Sequence, residues 1–288
     1  MIGEAFVDEY YRLSRKKDSF LCVGIDPAIK GMRDKYIVPP GITKGNVVDG
    51  VKEFCLNVIR SVGPFTPVIK PNGQFLLYLL GFNEIAEIVN AIHEMECIAL
   101  LDIKLSDIGT TMDAGLYWVN KLGFDAVTFS PFPGYVNGVD SVYRWAELKD
   151  KGIFVLCRMS NPGTHDYQSK KIMGVPFYEA IASDSHRRGC NGFVVGSTAS
   201  EELGTIRKII GERPLILSPG LGPQGGDPRM ALLMGANEKG EGLIVSSSRS
   251  INYAYEVLGI DWKWYAEAAS KAAEDRRRTL NDIRDELF

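Results

Sequence analysis

Short apolar segments rich in Val, Ile and Phe recur along the chain, separated by longer and more polar stretches. Their hydrophobic residues run almost without interruption instead of alternating with polar ones, which is typical of parallel strands buried on both faces. The pattern predicts eight strands, at residues 20–26, 67–70, 97–104, 126–130, 153–158, 192–196, 214–218 and 242–246.

Amphipathic helices are predicted between these strands. The clearest spans residues 47–62, where hydrophobic side chains recur with the 3.6-residue period of one helix face. Similar patterns cover residues 85–92, 108–122, 178–188, 201–210, 228–234 and 262–286. Residues 4–17 predict an extra N-terminal helix ahead of the first strand, which we expect to plug the bottom of a barrel.

Eight strands that alternate with helices favour an α/β fold of the closed (β/α)8 TIM-barrel type. A doubly wound open sheet is the alternative, but it usually stops at about five to seven strands. No low-complexity tract, long linker or internal repeat divides the 288 residues, so we expect a single domain over residues 1–288.

The composition narrows the choice of partners. Lys and Arg number 33 against 36 Asp and Glu, and the net charge of −3 gives no overall attraction to nucleic acid or to an anionic membrane. The five cysteines are scattered without paired spacing, which favours buried reduced thiols over a disulfide framework or a zinc site. The N-terminus does not resemble a signal sequence and no apolar run approaches roughly 18 residues, so we expect a cytoplasmic protein.

Barrel enzymes carry their chemistry at the carboxyl ends of the strands, so polar residues that end an apolar segment are the candidates. Strand four, which ends in Phe129, Ser130 and Pro131, offers little by comparison with the others. The candidates are Asp26 after strand one, Lys70 after strand two, Asp102 and Lys104 after strand three, Ser160 and Asn161 after strand five, and Arg249 after strand eight.

Asp102 and Lys104 are two residues apart on a strand, so their side chains are expected on the same face. Asp107 follows where the chain turns into a helix, and Thr111 lies one helical turn further on. Structural alternatives remain open. Asp107 or Ser106 could only cap the helix, Lys104 could extend to solvent, and Asp26 and Lys70 could form only a structural ion pair.

A second group of residues predicts a phosphate site. The Gly-rich segment 218–228 follows strand seven, and a Ser-rich segment with Arg249 follows strand eight. Loops at these two places form the usual phosphate site of such barrels, and Arg249 supplies a bidentate donor. A merely flexible Gly-Pro turn would explain the glycines but not the arginine.

Metal chemistry is not expected. None of the three histidines, His93, His165 and His186, ends a predicted strand, and no His, Asp or Glu cluster has metal-ligand spacing. A lysine among the carboxylates would also compete with a cation. The sequence therefore predicts chemistry that needs no metal.

The segment Asp102-x-Lys104-x-x-Asp107-Ile108-x-x-Thr111 resembles the defining motif of the orotidine 5'-monophosphate decarboxylase family. Further blocks resemble the family in the same order, among them 22–27, 69–72, 160–163, 218–228 and 244–249. The resemblance is closest to the longer branch found in some bacteria and in apicomplexan parasites.

Related metal-dependent hexulose-phosphate synthases and keto-gulonate-phosphate decarboxylases share Asp-x-Lys-x-x-Asp, but they carry a metal-binding Glu at the end of strand two. This chain has Lys70 there, and Thr111 and Arg249 also favour the nucleotide enzyme. Such a sugar-phosphate lyase, or a catalytically silent phosphate-binding barrel, stays the alternative.

The resemblance implies decarboxylation of orotidine 5'-monophosphate to uridine 5'-monophosphate in de novo pyrimidine biosynthesis, without a cofactor. It implies that Lys104 protonates C6 of the pyrimidine and that Asp102, Asp107 and Lys70 complete an alternating array of charges. The implied substrate-binding residues are Asp26 and Lys70 for the ribose, Ser160 for the pyrimidine, Gln224 and Arg249 for the phosphate, and in addition Thr111, Asn161, Pro219 and Ser248.

In the family, the residues that correspond to Asp107 and Thr111 reach into the active site of a second subunit. The resemblance therefore implies a homodimer whose active sites are shared. Association with a separate orotate phosphoribosyltransferase chain is a further interaction that it allows. No nucleic-acid or membrane partner is expected.

Overall fold

A closed barrel of parallel strands forms the centre of the protein. The computed structural model describes residues 2–220 and 225–288. Its barrel strands are β1 Leu21–Ile25, β2 Val68–Pro71, β3 Ile98–Leu105, β4 Ala126–Phe129, β5 Gly152–Arg158, β6 Gly192–Val195, β7 Leu215–Pro219 and β8 Leu243–Ser247. Pairing of Leu21 in β1 with Val245 in β8 closes the barrel. Each strand lies within one residue of its predicted bounds, and the TIM-barrel prediction is confirmed.

Helices connect the strands and surround the barrel. In the described ranges they are α1 Glu4–Lys17, α2 Pro40–Thr43, α3 Val47–Val62, α4 Gly73–Leu76, α5 Phe82–Glu94, α6 Gly109–Lys121, α7 Asp140–Lys149, α8 Thr164–Tyr167, α9 Phe177–Arg187, α10 Ser200–Ile210, α11 Pro228–Gly235, α12 Arg249–Asn252, α13 Ala254–Leu258 and α14 Tyr265–Leu287. The predicted helices are confirmed with ends that shift by a few residues.

Helix α7 is the longest of the helices that were not predicted; the others, α2, α4, α8, α12 and α13, have four or five residues. Helix α7 buries Val142, Tyr143 and Ala146, whose spacing of one, three and four residues is that of a single helix face. The segment before it is rich in Pro and Gly, and this turn signal obscured the helical pattern.

Helix α1 closes the bottom of the barrel, as predicted. The ring of Phe6 meets that of Phe154 edge to face, with centroids 6.2 Å apart. The Tyr10 hydroxyl donates to the carbonyl oxygen of Leu243 over 3.2 Å. Both contacts reach the amino-terminal halves of the strands, so α1 fills the interior from the end opposite the rim.

Helix ends and interhelical packing explain how the outer layer is held. Asn46 begins α3, and its side chain accepts the Val48 N–H over 2.9 Å, which satisfies a donor that the helix leaves free. Phe54 of α3 stacks on Tyr265 of α14 with ring centroids 5.1 Å apart. The last helix is thereby fixed against the first crossover helix.

A buried arginine ties together the loops that precede β7 and β8. The guanidinium of Arg207 donates to the carbonyl oxygens of Gly211, Pro214, Gly235 and Gly242 over 2.8 to 3.0 Å. Burial lowers the pKa of Arg207 to about 10, and the group remains charged at neutral pH. One side chain thus satisfies four loop carbonyls.

The five cysteines are all buried and unpaired, as the sequence predicts. Burial raises the pKa of the Cys22 thiol to about 12, so this thiol is uncharged at neutral pH. Within residues 2–220 and 225–288, no helix combines the length and the apolar character that a membrane span requires.

Candidate active site at the carboxyl ends of the strands

A cavity of about 200 Å³ opens at the rim of the barrel. It brings together six of the residues proposed from the sequence, which come from β1, β2, β3, β7 and the loop after β8. The lining is Asp26, Lys70, Asn72, Asp102, Pro219, Gly220, Ser246, Ser247, Ser248, Arg249 and Ser250.

An alternating row of charges lies on the β2 and β3 side. Lys70 Nζ donates to Asp102 Oδ2 and Lys104 Nζ donates to Asp102 Oδ1, each over 2.6 Å. Lys70 and Asp102 are buried, whereas the Lys104 side chain is 37% exposed. Lys104 is therefore the more exposed ammonium of the row. It is not among the residues that line the rim cavity, but Asp102, which does line it, holds the Lys104 ammonium, so this side chain does not simply extend into solvent.

Neighbouring charges of this row stabilise each other's charged form. Burial opposes ionisation of Asp102, but the charges of Lys70 and Lys104 outweigh it and hold the pKa of that carboxyl well below its usual range. Burial likewise opposes the charged form of Lys70, but Asp102 and Asp26 raise its pKa above the usual range. Both groups are charged at neutral pH.

The backbone of β3 is irregular at the row. Lys104 has φ of 55°, a left-handed conformation that is rare for a residue with a side chain. Three residues, 102 to 104, lie opposite the single residue Thr128 of β4, because the pairing shifts between Leu101 and Leu105. Asp102 and Lys104 thus meet through a bulge, and regular alternation on a strand does not account for the contact.

Two asparagines are hydrogen-bond partners of Asp26. Asn72 Nδ2 donates to Asp26 Oδ1 over 3.0 Å, and Asn252 Oδ1 accepts the Asp26 N–H over 3.3 Å. In the described ranges the ion pair of Lys70 is with Asp102, so the alternative of a structural Asp26–Lys70 pair does not hold. Asn72 was part of a quoted sequence block but carried no predicted role.

The side of the cavity at which the sequence predicts a phosphate site is closely packed. A Cβ at Gly24 would lie 2.0 Å from Ser248 Oγ, so glycine at this position lets the Ser248 side chain keep its place. The guanidinium of Arg249 makes no hydrogen bond or ion pair with any described residue, and it lines the cavity. Gln224, the other residue proposed at the phosphate, lies outside the described residues.

Asp107 and Thr111 do not line the cavity and are exposed on this chain. Among the described residues, Asp107 Oδ1 accepts the N–H of the adjacent Ile108 over 2.7 Å. The N-cap position of α6 is Ile108, and no side chain there caps the helix. The interpretation of Asp107 or Ser106 as a helix cap is therefore wrong.

Ser160 and Asn161 lie in a separate cavity of about 480 Å³, together with Arg158. The Arg158 side chain is 5% exposed and pairs with Glu202 over 3.1 Å. The loop that follows contains a short hairpin of Lys171–Ile172 with Val175–Pro176. The structure thus does not place Ser160, the residue predicted to bind the pyrimidine, or its neighbour Asn161 in the same cavity as Lys70 and Asp102.

The fold and the rim together define the class of protein. It is a (β/α)8-barrel protein that carries buried charged residues and a glycine-rich loop at the carboxyl ends of its strands. Residues 19–257 match the family described as Orotidine 5'-phosphate decarboxylase / HUMPS family. The chain belongs to this family.

Curated relatives agree over almost the whole chain. It is 31% identical over 286 residues to an orotidine 5'-phosphate decarboxylase of Cupriavidus necator, with 97% of this chain and 98% of the relative covered. It is 34% identical over 289 residues to the protein of the same name from Dehalococcoides mccartyi, with 97% and 98% covered.

Solved structures give the same result. The OMP decarboxylase of Leishmania donovani superposes with a TM-score of 0.76 at 25% identity, and the match covers 99% of both chains. The UMP synthase of the same organism superposes with a TM-score of 0.77 at 27% identity. That match covers 96% of this chain but 56% of the UMP synthase chain.

Proposed function

We propose that this protein decarboxylates orotidine 5'-monophosphate to uridine 5'-monophosphate in de novo pyrimidine biosynthesis. The observation that carries the proposal is Lys70 at the end of β2, in a 2.6 Å ion pair with Asp102, within a chain of the decarboxylase family. A metal-dependent relative would need a carboxylate at this place.

The reaction breaks the bond between C6 of the pyrimidine and its carboxylate, and the electron pair stays on C6 as carbon dioxide leaves. Lys104 Nζ then transfers a proton to C6, and solvent reprotonates the amine. Because the ammonium is already held by Asp102, it stabilises the developing carbanion without reorganisation. The Asp102 carboxylate, close to that of the substrate, adds repulsion in the ground state.

The remaining rim residues bind the substrate in this proposal. Asp26 and Lys70 hold the ribose hydroxyls. Contact of Ser160 with the pyrimidine requires the loop after β5 to bring this residue from its separate cavity to the charge row. At the other end of the nucleotide, the phosphate lies against Pro219, Ser248 and Arg249, whose guanidinium has no partner among the described residues. The energy of binding the remote phosphate contributes to closing the site around the reacting atoms.

No metal is part of the proposed mechanism. Within the described ranges, no three His, Cys, Asp or Glu side chains are grouped so that they could hold an ion. The charge of Lys70 also disfavours a cation beside Asp102.

The test follows the ultraviolet absorbance of orotidine 5'-monophosphate in the presence of EDTA, with Lys104→Ala as the comparison. We expect the native protein to turn over the substrate at the same rate with and without EDTA. The Lys104→Ala variant should show no turnover. Activity lost to the chelator would identify a metal-dependent lyase. Binding without any turnover would identify a silent phosphate-binding barrel. Undiminished turnover by Lys104→Ala would refute the role of that lysine.

We further propose a homodimer in which Asp107 and Thr111 complete the site of the second subunit. Both are exposed here, and apolar side chains of the same region are exposed beside them, Ile108 by 62% and Trp118 by 56%. An exposed apolar surface of this kind is typical of an interface between subunits.

Mixing two inactive variants tests the shared site. A dimer of one Lys104→Ala chain and one Asp107→Ala chain has one site in which both residues are intact. After random exchange of subunits in equal amounts, about a quarter of native activity should return. A mixture that exchanges subunits, as shown by tagged chains, but stays inactive would contradict sharing.

A further inference from the structure

Thr128 is the one residue of β4 that lies opposite the irregular part of β3. Its neighbours pair normally, Val127 with Leu101 and Phe129 with Leu105, so Asp102, Ile103 and Lys104 all lie across from this threonine. Thr128 is 1% exposed. It stands one residue before the end of its strand, below the rim position from which site residues are usually drawn.

The hydroxyl of Thr128 makes two hydrogen bonds to the charge row. Its oxygen accepts the backbone N–H of Lys104 over 3.0 Å, and its proton is donated to Asp102 Oδ1 over 3.0 Å. A hydroxyl has one donor and two acceptor sites, so one side chain satisfies both groups. The bulge interrupts the regular β3–β4 pairing at Lys104, and the Thr128 side chain supplies an acceptor there.

This arrangement holds the left-handed backbone of Lys104 in place. A conformation of this kind persists only where its surroundings enforce it, and such residues cluster at active sites. A threonine is well suited to the task, because its branched Cβ restricts the first side-chain torsion. The same oxygen thereby fixes the backbone from which the Lys104 side chain extends. It also fixes the Asp102 carboxylate that the Lys104 ammonium contacts.

We propose that Thr128 is a positioning residue, whose hydroxyl sets the direction in which the Lys104 ammonium faces the reacting carbon. It does not touch the substrate and acts through Lys104 and Asp102. The inference rests on the proposed decarboxylation, since it assigns a function to the geometry of the lysine that donates the proton.

The experiment compares Thr128→Val, which keeps the shape and removes the hydroxyl, with Thr128→Ser, which keeps the hydroxyl. We expect kcat to fall about ten- to a hundredfold in Thr128→Val, because a hydrogen bond to a charged group is lost, while KM stays within about threefold. Thr128→Ser should recover most of the rate. Thr128→Ala serves in the same way if the valine variant does not fold.

Thr66→Val is the matched control. Thr66 is fully buried, and its hydroxyl donates to the carbonyl oxygens of Leu21 and Val68 over 2.8 Å at the start of the barrel strands. We expect this variant to lose thermal stability and to keep its kcat, so it separates a general effect of removing a buried hydroxyl from an effect on the site.

A further measurement tests whether Thr128 acts through Lys104. Exchange of deuterium from D2O into C6 of uridine 5'-monophosphate should slow in Thr128→Val by the same factor as kcat. A rate for Thr128→Val equal to that of Thr66→Val, or an exchange rate that does not fall with kcat, would overturn the inference. A native protein without turnover would instead refute the proposed function.

Discussion

Replacing Lys70 by Met tests how much burial strengthens the ion pair with Asp102. The pair joins Lys70 Nζ to Asp102 Oδ2 over 2.6 Å, and the two side chains are 8% and 13% exposed. On the outer surface, Lys16 Nζ approaches Glu96 Oε1 over a nearly equal 2.7 Å, with side chains 50% and 57% exposed. The two pairs therefore share their geometry and differ in their access to water.

The expected magnitude follows from the charge that is left behind. Removing one partner of a buried pair usually costs about 3 to 5 kcal/mol, because the other charge loses its compensation in a place that water does not reach. Asp102 keeps its contacts with Lys104 and Thr128, which places Lys70→Met near the lower end, at about 3 kcal/mol. Lys16→Met should change stability far less, since water solvates Glu96.

Urea denaturation at one fixed protein concentration measures both effects. With a slope of about 3 kcal/mol per molar, Lys70→Met should lower the midpoint by about 1 M. The double variant Lys70→Met/Asp102→Leu should recover much of the loss, because it removes the uncompensated carboxylate as well. Equal midpoints for Lys70→Met and Lys16→Met, or a double variant less stable than Lys70→Met, would refute the reasoning.

Three other changes have defined outcomes. Arg207→Met should cost about 3 kcal/mol or more in urea unfolding, because four carbonyls lose their donor, and a loss below about 1 kcal/mol would contradict the assignment. Gly24→Ala should weaken binding of uridine 5'-monophosphate about tenfold in calorimetry, since Cβ would lie 2.0 Å from Ser248 Oγ, whereas Gly45→Ala, with open space, should not. Burial raises the pKa of Asp125, but its hydrogen bonds and the charge of a nearby lysine outweigh burial and lower the pKa. The Asp125 carboxylate therefore stabilises the folded protein above about pH 4, and this contribution is lost below that pH. The stability difference between native protein and Asp125→Asn should therefore shrink from about pH 6 to about pH 3, and a difference that grows would refute this.

The barrel could be predicted from the sequence because buried parallel strands leave an almost purely apolar record, as residues 242–246 do. The rule that chemistry lies at strand ends then found Asp26, Lys70 and Asp102 without any knowledge of distances. Helix α7 had the necessary spacing in Val142, Tyr143 and Ala146, so its pattern could have been recognised.

Other features depend on tertiary geometry that no local pattern encodes. Thr128 looks like an ordinary β-strand residue, and its role arises only from the bulge on the neighbouring strand. The path of the loop after β5, which carries Ser160 and Asn161 into a separate cavity, depends on contacts such as that of Gln168 Oε1 with the Met159 N–H. Periodicity contains no information on such a path.

Closure of the barrel through β1 and β8 also determines when the protein can fold during its synthesis. Leu21 pairs with Val245, so about 220 residues separate the two strands in the chain. A ribosome that adds about 5 to 20 residues per second needs roughly 10 to 45 s to synthesise that interval. Throughout this time one edge of β1 has no neighbour, and unpaired strand edges are sites of aggregation. Protection of this edge in the folded protein therefore begins only when the last strand has emerged.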